Sequence, residues 1–202
     1  MVSICAIEAT GRDRRARRLV LSDGEDALIT AAAVVRALGL KEGDELEPEQ
    51  LRESIALHEQ ECARERALRL LGYRERSCKE LEDRLRGDGY PPECVRTIAA
   101  RMAELDLVND TRFAQAWARS RTASGIGPRR ISSELALRGV SPDVIVAAID
   151  GAIGDSTPAQ QARAAIRPGD LEDRHSRDRA LRRLVRRGFS LRDARDALEG
   201  DS

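Results

Sequence analysis

Aromatic side chains are nearly absent, with one tryptophan, two tyrosines and two phenylalanines in 202 residues. A protein that holds single strands by stacking successive bases on aromatic rings needs more than this, so stacking is excluded as the main mode of binding. Histidine and cysteine are sparse too. His58 and His175 have no second ligand at zinc spacing, and Cys5, Cys62, Cys78 and Cys94 form no CxxC pair, so no metal site is expected. No apolar run reaches the length of a membrane span and no basic leader joins an apolar stretch. The chain is therefore expected in the cytoplasm, its cysteines reduced and serving as small apolar residues. No P-loop and no grouping of nucleophile, base and orienting residue can be recognised, so neither an enzyme nor a cofactor is expected.

Net charge is also missing, since 35 basic residues meet 35 acidic ones. Proteins that coat nucleic acid by charge alone are far more basic, so a partner must offer more than phosphate. The balance conceals an asymmetry: residues 1–60 hold eight basic and twelve acidic groups, the remainder 27 and 23. Arginine outnumbers lysine 33 to 2. Guanidinium favours planar, bidentate contacts, although genomic base composition produces the same ratio.

What is present is a repeat. With Gly89, Gly139 and Gly188 set in register, fifty and forty-nine residues apart, Leu85, Leu135 and Leu184 align four residues earlier. Leu81, Ile131 and Ala180 align eight residues before the glycines, Tyr90, Val140 and Phe189 one after, and Val95, Ile145 and Ala194 six after. This is apolar helical spacing at a period typical of helical modules. Ser77, Gly127 and Ser176, twelve residues before the glycines, are the expected helix caps. Units this short are expected to share a core with their neighbours.

The middle unit contains GIGPRRISSELALRGV, residues 125–140. Pro128 suits a first helical turn, Ile131, Leu135 and Leu137 supply an apolar face, and Gly139 followed by Val140 ends the helix. Arg129 and Arg130 sit where the helix dipole favours anions. Two readings follow: an anion seat made with the unpaired amides of the helix start, or solvated arginines with Arg130 paired to Glu134 one turn on.

Residues 2–8 and RRLVLS predict strands, and Asp23-Gly24 predicts a tight turn into a third, EDALI. The basic connection from Arg12 to Arg18 reads as a solvated loop, offset by the acidic segment 42–49. Thr30 is expected to cap a short helix ending at Gly39, and KEGDELEP to form a polar elbow before Pro48 opens a long helix closed by Gly72. Leu51, Ile55, Cys62, Ala63, Ala67, Leu70 and Leu71 mark its inner side. Pro92 starts the next helix but one, and Asp110 is expected to cap the helix carrying Phe113 and Trp117, a core pair. In the last unit Pro168-Gly169 break the first helix, Leu181, Leu184 and Val185 face inward, and Arg182, Arg183, Arg186 and Arg187 form a basic face. The divisions expected are a β-rich extension over 1–47 and helical repeats over 48–107, 108–154 and 155–202. The extension is expected to be dispensable for folding of the repeats.

Four segments, ALRLLGYRERSCKEL at 67–81, LVNDTRFAQAW at 107–117, GIGPRRISSEL followed by RGV, and LRRLVRRGFS near the end, resemble the RecX family of recombinase regulators. The resemblance covers roughly residues 60–199. It implies a bow-shaped, mainly α array of nine helices in three three-helix units, and the β-element resembles an extension carried by some members. It also implies binding of a monomer in the groove of a RecA filament on single-stranded DNA. There it would suppress ATP hydrolysis and strand exchange in homologous recombination, DNA repair and the SOS response. Members usually carry two acidic residues where this chain has Asn109-Asp110. The candidate contacts for filament or DNA are Arg74, Arg76, Arg129, Arg130, Arg182, Arg183, Arg186 and Arg187. The competing reading is a sequence-independent single-stranded DNA binder, which would hold naked DNA tightly with a steep salt dependence.

Overall fold

A computed structural model describes residues 1–10, 15–24 and 27–199. The chain divides into two compact units, one up to Asn109 and one from Asp110 onward.

The first unit opens with β1 (Val2–Thr10), β2 (Ala16–Leu21), β3 (Leu28–Ala31), α1 (Ala32–Leu38) and β4 (Glu45–Leu46). They form an antiparallel sheet in the order β3-β2-β1-β4. Four strands stand where three were expected, because the supposed polar elbow supplies the fourth. A two-residue strand is too short to alternate visibly, and it is held by pairing at the start of β1, where Val2 faces Leu46 and Ser3 faces Glu45. Arg12, Arg14 and the two residues after Gly24 lie outside the described residues, but β2 and β3 pair antiparallel across the predicted turn.

Thr30 does not cap α1. It belongs to β3, is fully buried, and its hydroxyl donates to Glu59 at 2.6 Å, which gives a buried polar pair mutual satisfaction. Gly39 ends α1 in the left-handed conformation, with φ 65°, as predicted.

The helix α2 (Pro48–Tyr73) then passes straight through Gly72 rather than stopping there. It packs with α3 (Cys78–Gly87) and α4 (Pro92–Glu104). Ser77 caps α3 by accepting from the Glu80 amide at 3.1 Å. These helices and the sheet share one core: Ile4, Leu19, Leu21 and Val34 join Leu51, Leu81, Leu85 and Val95 in a single cluster. The tightest point is Gly89, whose φ is +97°, and a Cβ there would stand 2.6 Å from that of Ala16. Residues 1–47 therefore complete the core of repeat 1, which argues against their being dispensable to it.

The second unit holds repeat 2, with α5 (Asp110–Ala123), α6 (Pro128–Leu137) and α7 (Pro142–Ile153), and repeat 3, with α8 (Pro158–Ala164), α9 (Arg174–Arg186) and α10 (Leu191–Glu199). The fold is thus mainly α, three three-helix repeats behind a small sheet and helix. Every apolar position of the repeat register is buried, and Gly89, Gly139 and Gly188 all have positive φ. A fully buried leucine stabilises by roughly 1.5–3 kcal/mol, so these aligned positions carry much of the fold. Repeats 2 and 3 do not pool their apolar residues as expected; each has its own cluster.

Other local expectations fail. Asp110 is the first residue of α5, leaving Asn109 at the cap position. Asp173 caps α9 by accepting from the Ser176 amide at 2.6 Å, so Ser176 lies inside the helix. Leu137 and Val185, expected inward, are 75% and 41% exposed.

Candidate functional site

The second unit brings two arginine pairs together that are far apart in sequence. Gly127 precedes Pro128 at the start of α6, and Arg129 and Arg130 follow in the first turn. The Gly127 amide donates to the Arg187 carbonyl at 2.8 Å, and the Arg129 amide donates to the Gly188 carbonyl at 3.1 Å. The end of α9 therefore meets the start of α6 backbone to backbone. Only glycine fits on either side. A Cβ on Gly127 would overlap the backbone of Gly188 and Phe189, and one on Gly188 would overlap Arg130.

This contact overturns the anion seat. The Gly127 and Arg129 amides that would have held an anion already donate to carbonyl groups at the end of α9, and those carbonyls also offset the unfavourable dipole around two arginines. The other reading holds for Arg130, whose Nε donates to Glu134 Oε1 at 3.2 Å. Arg129 remains exposed, and among the described residues it has no ion pair.

Glu134 is the centre of repeat 2. Arg121 donates to it through Nε at 2.7 Å and through Nη2 at 2.8 Å, and the Trp117 indole donates at 3.0 Å. The hydrogen bonds from Arg121 come first among the causes that hold its carboxyl at about 2, against the opposing effect of burial. Trp117 stacks on Phe113 with ring centroids 5.8 Å apart, and the Arg138 guanidinium lies 3.8 Å from the Trp117 ring centre. Phe113 is buried, so the pair is core, as expected, and the indole is sandwiched by protein rather than offered to a base.

The remaining candidates separate by exposure. Arg182 and Arg186 are exposed one turn apart on α9, and Arg187 is half-buried behind them. Arg183 is not part of that face: it turns inward to Asp170, donating through Nη1 at 2.9 Å and through Nη2. Hydrogen bonds from Arg183 hold the Asp170 carboxyl at about 2. Arg76 is 7% exposed and donates to the Leu70 carbonyl at 3.2 Å. Burial lowers its guanidinium below the usual value, so it closes the end of α2 instead of meeting a partner. Arg74 pairs with Glu80 at 2.9 Å at the surface.

Sequence reasoning missed an arginine cleft in the first unit. Arg15, Arg17, Arg36, Arg66 and Arg69 line a cavity of 370 Å³ together with Asp88, Tyr90 and the small residues Ala31, Ala32 and Ala33. The stretch carrying Arg17 and Arg18 is strand, not solvated loop. The acidic segment expected to offset it lies at β4, separated from β2 by β1, about 10 Å away at ordinary strand spacing. A two-residue alternation of Arg15 and Arg17 ahead of Leu19 and Leu21 was the available signal.

The chain matches two family models, described as the first three-helix domain of RecX over residues 63–102 and the second over residues 109–149. These fall on repeats 1 and 2. A regulatory protein RecX of Mycolicibacterium vanbaalenii is 36% identical over 166 residues, covering 77% of this chain and 89% of its own. One from Halorhodospira halophila is 38% identical over 141 residues, covering 68% of this chain and 86% of its own. A crystal structure of regulatory protein RecX superposes with a TM-score of 0.64 across 99% of this chain and 100% of that one, at 23% identity, which extends the fold likeness to repeat 3 and the sheet. With repeats 1 and 2 matched by the family's own domains and a relative alike over three quarters of the sequence, the chain belongs to the RecX family of regulatory proteins.

Proposed function

We propose that this protein binds the RecA filament on single-stranded DNA and slows its ATP hydrolysis and strand exchange. It would act as a cytoplasmic monomer, by binding and not by chemistry. Family membership supports the reading, and the observation that carries it is the convergence of α6 and α9. Their backbone contact gathers Arg129 and Arg130 beside Arg187, with Arg182 and Arg186 exposed on the helix that ends there. A basic surface on an otherwise neutral chain suits a partner that offers both protein and phosphate. Arg74 is a further contact candidate in the first unit. The test is titration into a cognate recombinase filament, following ATP hydrolysis and co-sedimentation together. Hydrolysis should slow well below one molecule per recombinase subunit; unchanged hydrolysis at equimolar protein without co-sedimentation rejects the proposal. Tight, steeply salt-dependent binding to naked DNA, with no preference for coated DNA, would favour the plain DNA binder.

A further inference from the structure

Among the described residues, five arginines and one aspartate line the cleft of the first unit. Asp88 is the one carboxylate among the described residues that line it, and both oxygens are engaged: Arg15 donates to one at 2.7 Å and Arg66 to the other at 2.6 Å. Those bonds fix two guanidinium groups on the cleft wall. Arg36 and Arg69 face the same cavity from α1 and α2, and among the described residues neither has an ion pair. Tyr90 adds a neutral donor. It is 5% exposed, lines the cavity, and its hydroxyl makes no hydrogen bond among the described residues. Burial raises its phenol well above the ordinary value, so it keeps its proton.

We propose that this cleft, walled by β2, α1 and α2, is a phosphate-binding site, and that its phosphate is a phosphodiester of single-stranded nucleic acid. The inference rests on the reading that the protein works on single-stranded DNA, and it adds where the backbone is held. Guanidinium forks match phosphate oxygens bidentately. A concave wall of one sign also concentrates field and raises the local concentration of anions. The apolar lining is only Ala31, Ala32 and Ala33 beside Tyr90. An acidic peptide would find little there for its apolar side chains, and a free nucleotide would find no glycine-rich loop to cradle its phosphates. A strand's backbone needs neither, and its bases remain outside.

The test uses the full chain, the double variant Arg36→Ala with Arg69→Ala, and the corresponding double lysine variant. Labelled oligo-dT binding is followed by anisotropy across a salt series, protection by inorganic pyrophosphate by thermal melting, and filament ATP hydrolysis in parallel. Arg15 and Arg66 are left intact because they anchor Asp88. The alanine pair should melt like wild type without ligand and bind the oligonucleotide about five- to tenfold more weakly. Its salt slope should be shallower by about 1.4, the share of two phosphates on a single strand. Lysine should restore part of the affinity, since charge without the fork is retained. Unchanged oligonucleotide affinity and slope would overturn the proposal. Loss of pyrophosphate protection alone would overturn the assignment to nucleic acid. A wild-type protein that leaves filament hydrolysis untouched, while the alanine pair still loses oligonucleotide binding, would reject the filament reading and keep the site.

Discussion

In repeat 2, Arg121 of α5 reaches Glu134 of α6; in repeat 3, Asp170, ahead of α9, is reached by Arg183 within it. Both pairs span thirteen residues, and both occupy the same places relative to Gly139 and Gly188. The charges are exchanged. Repeat 1 has Leu71 and Arg84 at those places, and Leu71 packs partly buried on the shared core. The site between the first two helices of a repeat therefore demands complementarity, not a particular sign. Residue-by-residue alignment hides such a pair, because arginine aligns with aspartate and glutamate with arginine. The surroundings differ accordingly. Glu134 also accepts from Trp117, whereas the corresponding residue of repeat 3 is Ile166, which has nothing to donate.

The strongest way to break the junction between these two repeats is Gly188→Ala. The residue has φ +96°, and its new Cβ would overlap Arg130. Strain and overlap together should cost roughly 3–4 kcal/mol in urea unfolding. Gly127→Ala meets an equally close backbone but keeps an ordinary φ of −80°, so it should cost less, about 2 kcal/mol. Equal losses would show that left-handed backbone is not what selects glycine at 188.

Exchanging charges tests the comparison directly. Glu134→Arg sets a cation among Arg121, Arg130 and Arg138, and because Arg121 is 34% exposed the cost should be about 2 kcal/mol rather than the 3–5 of a fully buried pair. Adding Arg121→Glu rebuilds the repeat 3 arrangement and should recover more than half. Adding Trp117→Ile should recover more, since the indole then needs no acceptor. A double variant no better than the single would mean that the two repeats are not equivalent here.

Acid separates the repeats more gently. Glu134 and Asp170 both have carboxyls held at about 2, against ordinary values of 4.5 and 3.8. Lowered folded values mean that the stabilisation is complete above about pH 5 and fades as pH falls toward 2. The wider interval belongs to Glu134. Melting temperature measured from pH 6 to pH 2 should therefore fall less steeply in Glu134→Gln than in wild type, and Asp170→Asn should flatten the curve less. The reverse order would put the stronger pair in repeat 3.

These differences mark what the sequence makes legible. Every apolar position named by the glycine register is buried, because helical periodicity and left-handed caps are local properties. Proline and serine placed the starts of α3, α4 and α6 for the same reason. Thr30, Arg15 and Arg183 were misjudged together, since each is decided by a partner distant in sequence: Glu59, Asp88 and Asp170. Arg76 instead turns back six residues to the Leu70 carbonyl. Composition also misled, because the acidic segment 42–49 lies across the sheet from β2. Of the candidate surface, Arg129, Arg182 and Arg186 could be read as exposed, but their convergence required the Gly127–Gly188 contact.

The smallest effects concern that surface, where stability and binding should part company. Arg129 stands in the first turn of α6, so Arg129→Ala removes an unfavourable charge from the positive helix end and should leave stability level or raise it by about 0.3 kcal/mol. Arg182 and Arg186 lie toward the end of α9, where the dipole favours cations, so Arg182→Ala with Arg186→Ala should cost a few tenths of a kcal/mol. Filament binding should respond in one direction to both changes, because each removes exposed positive charge from the joined ends of α6 and α9. The concentration that half-suppresses ATP hydrolysis should rise several-fold for either variant. The rise should shrink with added salt, as expected of exposed charges that steer association. Arg183→Ala is the counterpart: it should lower stability by exposing Asp170 to an unpaired state while binding of the folded fraction is unchanged. If Arg129→Ala and the Arg182 and Arg186 pair both suppress hydrolysis as wild type does, the surface joining repeats 2 and 3 is scaffold, and the filament must be met elsewhere.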